Sequence, residues 1–188
     1  MERLSGLDAS FLYIESPTQP LHVCSILELD TSTVPGGYTF DRLRGALALR
    51  IAAVPEFRAK LADSQLNLDY PVWVEDDAFD LDRHLLRIGL PSPGGRRELA
   101  EVCGHIASTP LDRGKPLWEM WVIEGVADTD PRAGGVLAVM TKVHHAVVDG
   151  VTGASLLSQL CTDEPDMPPP EPVEGPGNAG PLQIAAGG

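Results

Sequence analysis

The stretch VLAVMTKVHH, residues 136–145, constrains the fold more than any other. Its first half is almost uniformly apolar, whereas a strand with one wet face alternates apolar and polar side chains, so it belongs at the centre of a sheet covered on both faces. Amphipathic helices supply cover of that kind. FDRLRGALALRIAAVPEF (40–57) puts Leu43, Leu47, Ile51 and Val54 on one side at helical spacing, with Pro55 as its stop. RRELAEVCGHIAS (96–108) repeats the pattern with Leu99, Val102, Cys103 and Ile106. LHVCSILEL (21–29), PVWVE (71–75) and WEMWVIEG (118–125) are short, rich in β-branched or aromatic residues, and bounded by Gly, Pro or Asp, as strands are. The expected fold class is α/β, a mixed sheet with amphipathic helices packed on it.

A chain of 188 residues suits one domain with its own core, and 43% hydrophobic against 22% charged residues is a globular composition. The domain is expected over residues 1–163. From 164 onwards EPDMPPPEPVEGPGNAG lacks periodicity and is rich in proline and glycine, so 164–188 reads as a linker towards a further, absent part of a larger protein. No internal repeat is visible. The chain shows neither a bilayer-length apolar run nor a secretory signal, which makes the cytoplasm the default location. A net charge of −13 excludes wrapping nucleic acid and argues against adsorption to anionic lipid through bulk charge. Cys24, Cys103 and Cys161 are odd in number and far apart, so they are expected to be buried reduced thiols, forming neither a disulfide framework nor a metal site.

The chemistry concentrates at HHAVVDG, residues 144–150, where the central strand turns over. GVTGASLLSQL (150–160) follows with Leu156, Leu157 and Leu160 as an apolar stripe, so the local unit reads strand, tight turn, helix. A histidine there has a backbone fixed by sheet hydrogen bonds while its ring can face a cleft. Unperturbed imidazole titrates near pH ~6.5 and so can take a proton from an alcohol or thiol and return it to a leaving group. Adjacent strand residues point to opposite faces, so one of His144 and His145 is expected to face the cleft and the other inward. Asp149 would cap the next helix or pair with a distant arginine, and Gly150 would supply a backbone shape that a side chain obstructs.

Competing readings of the pair are ordinary packed or surface histidines, or a zinc site. Zinc lacks a third ligand in either HExxH or Cys/His spacing, so no metal is expected. A covalent serine mechanism would need a GxSxG elbow, and neither that nor a P-loop nor GxGxxG occurs. Trp118, at the start of an apolar strand, is expected in the core. His22 reads as hydrogen-bonded filler, and His84 and His105 have no chemistry to claim. Arg113 and Lys115 could meet the phosphates of an anionic ligand, although solvated loop charges are commoner.

HHxxxDG, as HHAVVDG, resembles the active-site signature of the CoA-dependent acyltransferase superfamily, which includes chloramphenicol acetyltransferase-like enzymes and peptide synthetase condensation domains. LSGLDASFLYIESPTQPLHV, VPEFRAKL, FDLDRHLLRIGLPSPGG and PLDRGKPLWEMWVIEGV are similar to the bacterial bifunctional wax ester synthase/diacylglycerol acyltransferase family, in the family's order and from the first residues to about 163. The resemblance implies a chloramphenicol acetyltransferase-like half-domain. Its implied reaction moves a long acyl group from acyl-CoA, a substrate and not a cofactor, to diacylglycerol or a fatty alcohol. It casts His145 as general base, His144 as its support and Asp149 as support of the loop, and makes Pro116, Leu117 and Trp118 a second signature that is structural or tunnel-lining. It also implies a C-terminal half, in the same chain or as a separate fragment, whose absence would leave apolar surface uncovered and remove groups that stabilise the oxyanion. Contact with membrane or lipid droplets would follow from the insoluble acceptor. The alternatives are a carrier-protein-dependent condensation-like acyltransferase and a non-catalytic lipid-binding half.

Overall fold

The computed structural model describes residues 2–63, 70–127, 135–147, 158, 160–162, 167–168 and 170–174. In chain order the elements are β1 (Glu2–Arg3), α1 (Gly6–Ile14), β2 (His22–Asp30), α2 (Phe40–Ala52), β3 (Ala59–Ala62), β4 (Val72–Glu75), β5 (Leu85–Gly89), α3 (Arg96–Ser108), β6 (Trp118–Val126) and β7 (Val136–His144). Single 3-10 turns occupy Pro55–Arg58 and Leu81–Arg83.

The main sheet has the order β2-β7-β6-β5, antiparallel except for the parallel β5–β6 pair. The apolar run is therefore an interior strand, and its side chains alternate between two helical layers. Leu137, Val139 and Val143 pack with Leu47 and Ile51 of α2, together with Phe57, Leu81 and Leu85. Ala138 and Met140 face the other way, onto Leu99, Cys103 and Ile106 of α3. Both helices follow from their sequence. The Thr39 side chain caps α2 by accepting the Arg42 amide, and Glu98 Oε2 accepts the Gly95 amide at 2.8 Å at the start of α3. α2 stops at Ala52, ahead of the expected Pro55, because the residue before a proline is driven out of helical geometry, and Val54 is extended yet still buried.

A small sheet, β1-β4-β3, together with α1 forms a third cluster in which Leu4, Ala9 and Leu12 meet Leu111, Leu117 and Ala146. This cluster carries α1 to the end of β7. One detail departs from expectation. Cys103 is buried, but Cys24 and Cys161 are exposed. Of the expected linker over 164–188 most lies outside the described residues; Val173 donates its amide to the Ala52 carbonyl at 3.1 Å and accepts from Arg58 through its carbonyl at 2.8 Å. Of the helix expected over 150–160, most lies outside the described residues, although Leu160 is buried in the α2-facing core.

Candidate active site

β7 ends at His144, and the chain turns there as the Val147 amide donates to the His144 carbonyl at 2.9 Å. The two histidines part company at that break. His144 is fully buried, on the same side of the strand as Ala138 and Met140, whereas His145 is partly exposed and stacks on Phe11 of α1 with ring centroids 4.9 Å apart and 22° between planes. Backbone bonds from both neighbouring strands fix the pair: the His144 amide donates to the Leu117 carbonyl at 3.0 Å and the His145 amide to the Leu21 carbonyl at 2.9 Å.

The His144 ring continues the same clamp. Its Nδ1 accepts the Ala146 amide at 2.9 Å, so a neutral ring must carry its proton on Nε2. Burial holds His144 below its ordinary pKa, with Arg113 and His22 adding to the effect against the opposing pull of Glu15. Nε2 faces Glu15 Oε1 at 3.4 Å. The same oxygen accepts the Leu21 amide at 3.0 Å and lies 3.6 Å from His22 Nε2. Arg113 donates to Glu15 Oε2 and to the Leu12 carbonyl at the end of α1, each at 2.7 Å. Burial alone would raise the Glu15 carboxyl, but the Leu21 amide, Arg113 and His144 together bring it below the usual carboxylate range.

The remaining expected site residues fall into place unevenly. Pro116, Leu117 and Trp118 are all buried, and the motif acts through its backbone and its packing. Leu117 supplies the carbonyl that holds His144. The Trp118 indole donates to the Phe57 carbonyl at 2.8 Å and its ring stacks on His84 at 4.8 Å. His84 is thus a core residue, with Nδ1 2.8 Å from the Trp118 carbonyl and its pKa lowered by burial. Asp149 and Gly150 lie outside the described residues. Arg113 is an exposed loop residue that also pairs with Glu15, and Lys115 pairs with Asp112 at 3.0 Å. Phe11, Glu15 and Arg113 escape a reading by local spacing because they reach His144 and His145 only through the fold. Glu15 and Arg113 are 98 positions apart. Among the described residues, no group of three or more His, Cys, Asp or Glu side chains is arranged to hold a metal ion.

Residues 4–188 match the wax ester synthase/diacylglycerol acyltransferase catalytic domain. The chain belongs to this family. A Mycobacterium tuberculosis (strain H37Rv) protein named "Putative diacyglycerol O-acyltransferase Rv1760" is 64% identical over 188 residues, which are 100% of this chain and 36% of that protein. The wax ester synthase/diacylglycerol acyltransferase from Marinobacter aquaeolei VT8 superposes with a TM-score of 0.70 at 32% identity, over 89% of this chain and 38% of that one. The first condensation domain of the calcium-dependent antibiotic synthetase shares the fold, with a TM-score of 0.63 at 18% identity over 85% of this chain and 36% of that one. The chain thus spans about a third of the length of these two relatives. Among the described residues, no helix is long and apolar enough to cross a membrane.

Proposed function

We propose that this chain carries the base of an acyl-CoA-dependent O-acyltransferase that acylates diacylglycerol or a fatty alcohol, with His145 taking the proton. The observation that supports this most is the division of labour at the end of β7: of two adjacent imidazoles, one is buried and tied down and the other is pinned by its backbone with its ring partly open. Unlike a packed pair, this arrangement leaves one histidine partly exposed. Unlike a floppy surface pair, it holds that histidine by a backbone hydrogen bond and by stacking on Phe11.

The chemistry is a single displacement. A ring nitrogen of His145 accepts the acceptor's hydroxyl proton as the oxygen attacks the thioester carbonyl. The tetrahedral adduct collapses with loss of the C–S bond, and the thiolate of CoA receives the proton from the imidazolium. The products are an ester and free CoA, and His145 ends as it began. His144, kept neutral by burial, adds no positive charge beside the imidazolium that forms transiently at His145. The Pro116–Trp118 motif supports the site from behind through the Leu117 carbonyl.

Groups that stabilise the developing oxyanion usually contribute more than the base. In this reading they come from the two-thirds of the family's length that lies beyond this chain, which would also wall the acyl and acceptor channels. Attachment to membrane or lipid droplets is part of the same proposal, because the acceptor is sparingly soluble. The identities of 64% and 32% to proteins named for diacylglycerol and wax ester chemistry favour acyl-CoA over a carrier-protein donor, since the condensation-domain likeness is one of fold alone.

The test is acyl transfer from acyl-CoA and from acyl-carrier protein to diacylglycerol and hexadecanol, by the native-length protein and its His145→Ala variant. The expected result is turnover from acyl-CoA that falls about 10² to 10⁴-fold in the variant. Undiminished turnover would leave the histidines idle and favour a lipid-binding role, and donor preference for the carrier protein would favour the condensation-like alternative.

A further inference from the structure

Glu15 is a carboxylate at the C-terminal end of α1, with only 8% of its side chain exposed, and its oxygens serve the histidine turn from two directions. Through Oε1 it accepts the Leu21 amide, and the carbonyl of that same Leu21 accepts the His145 amide. The same Oε1 faces His144 Nε2, a nitrogen buried without a hydrogen-bond partner in ideal geometry. On its far side the carboxylate is held by Arg113, which is itself anchored to the Leu12 carbonyl.

The His144 ring has two distinguishable neutral forms. Only the form protonated on Nε2 leaves Nδ1 free to accept the Ala146 amide and so to close the turn after His145. The Ala146 amide favours that form from the Nδ1 side, and from the other side it is favoured by a negative charge beside Nε2. Glu15 provides it, whereas His22 cannot, because its Nδ1 faces the Ala107 carbonyl at 3.4 Å, an acceptor that requires a proton on that nitrogen and leaves His22 Nε2 bare.

We propose that Glu15 is a positioning residue of this site: its carboxylate, held by Arg113, fixes His144 in the Nε2–H form and grips Leu21, so that both backbone connections presenting His145 depend on one side chain. This rests on His145 being the base, but the selection of the His144 form can be read without any turnover. Nothing in the local sequence marks this role. The carboxylate of Glu15 and the imidazole of His144 meet because α1 crosses the end of β7.

The experiment uses the native-length protein with Glu15→Ala and Glu15→Gln, each first shown to be folded by near-ultraviolet circular dichroism. Imidazole ¹⁵N NMR reports the protonated nitrogen of His144 directly. The parent is expected to show a bare Nδ1 and a protonated Nε2. Glu15→Ala is expected to show averaged nitrogens and a kcat lower by about 10²-fold, the loss typical of a small misplacement of a catalytic group, with KM for acyl-CoA within about threefold. Glu15→Gln, which can still offer an oxygen to Nε2, is expected to recover at least about tenfold of that loss. An unchanged His144 signature in Glu15→Ala, or a folded Glu15→Gln as impaired as Glu15→Ala, would overturn the proposal. If His145→Ala left turnover intact while Glu15→Ala still released the His144 ring, the base assignment would fail and the positioning of His144 would stand.

Discussion

β2 and β7 are each nine residues long and pair without interruption from His22–His144 to Asp30–Val136, yet they occupy opposite surroundings. Every residue of β7 from Leu137 to His144 is buried, whereas β2 leaves Val23, Ile26, Leu27 and Leu29 exposed. Pairing in register therefore does not equalise environment. β7 has a strand on each side and a helix layer on each face, and it buries even a lysine. Among the described residues β2 has a partner on one edge only, and its apolar side chains are exposed. The contrast separates what holds this chain together from what it offers to others.

The largest effect that would break the contrast lies at Lys142. Its ammonium, 1% exposed, donates to the Ile106 and Thr109 carbonyls at 3.1 and 3.0 Å and pairs with Glu119 at 2.8 Å. It terminates α3, where a cation favours the helix dipole, and neutralises a carboxylate that also receives the Trp121 indole. Lys142→Ala leaves the Ile106 and Thr109 carbonyls unanswered, takes the cation from Glu119, and is expected to cost about 3 to 5 kcal/mol in urea unfolding. Met140→Ala, on the same face, should cost about 2 to 5 kcal/mol through lost burial and a residual cavity. If either variant unfolds at the parent's midpoint, the interior of β7 is not the structural spine described above.

The cross-strand pair His22–His144 sharpens the contrast by pH. Burial lowers the pKa of both rings, and of His84, below the ordinary histidine value. The unfolded chain binds these protons near pH ~6.5 while the folded chain resists them, so the stability they contribute is complete above that pH and lost as pH falls towards the folded values. Each group can contribute a slope of up to about 1.4 kcal/mol per pH unit in that window. Chemical unfolding at pH 7.5, 6.0 and 5.0 is expected to show a falling midpoint, and His84→Gln should flatten the fall. A midpoint constant across that range would mean that the rings are hydrated in the folded state.

The strands and helices that were legible in the sequence are those whose period has a single cause. VLAVMTKVHH is apolar because two helices cover it, and α2 and α3 show clean stripes because each packs on one face only. α1 was not legible. GLDASFLYI buries Ala9 and Leu12 but exposes Leu7, Tyr13 and Ile14, so apolar residues occur all round it and no stripe stands out. β5 is five residues and pairs in parallel with β6, a partner that local pattern does not name. The same distinction governs the site. Two adjacent histidines at the end of a buried strand announce themselves, but the strand ends between them, so the turn and not strand alternation sets their surroundings apart. Glu15 and Arg113 belong to the site only because tertiary packing brings α1 to the turn, and Trp118 is core because its indole finds the Phe57 carbonyl.

The smallest expected effect on stability comes from β2, and it completes the comparison. An edge strand among the described residues, with exposed Ile26 and Leu27 at 46% and 51%, has the features that let chains add to one another edge to edge. Replacing Leu27 with lysine should change unfolding free energy by no more than about 0.5 kcal/mol, the range for exposed positions away from special contacts. The substitution puts a charge where an incoming strand would lie, so sedimentation velocity should show less self-association of this chain than of the parent. Stability and association are thus expected to move independently at β2, whereas at β7 any change to a buried side chain moves stability first. A Leu27→Lys chain that unfolds several kcal/mol sooner would show that this side chain is part of the core after all, and that the two strands differ less than their exposure says.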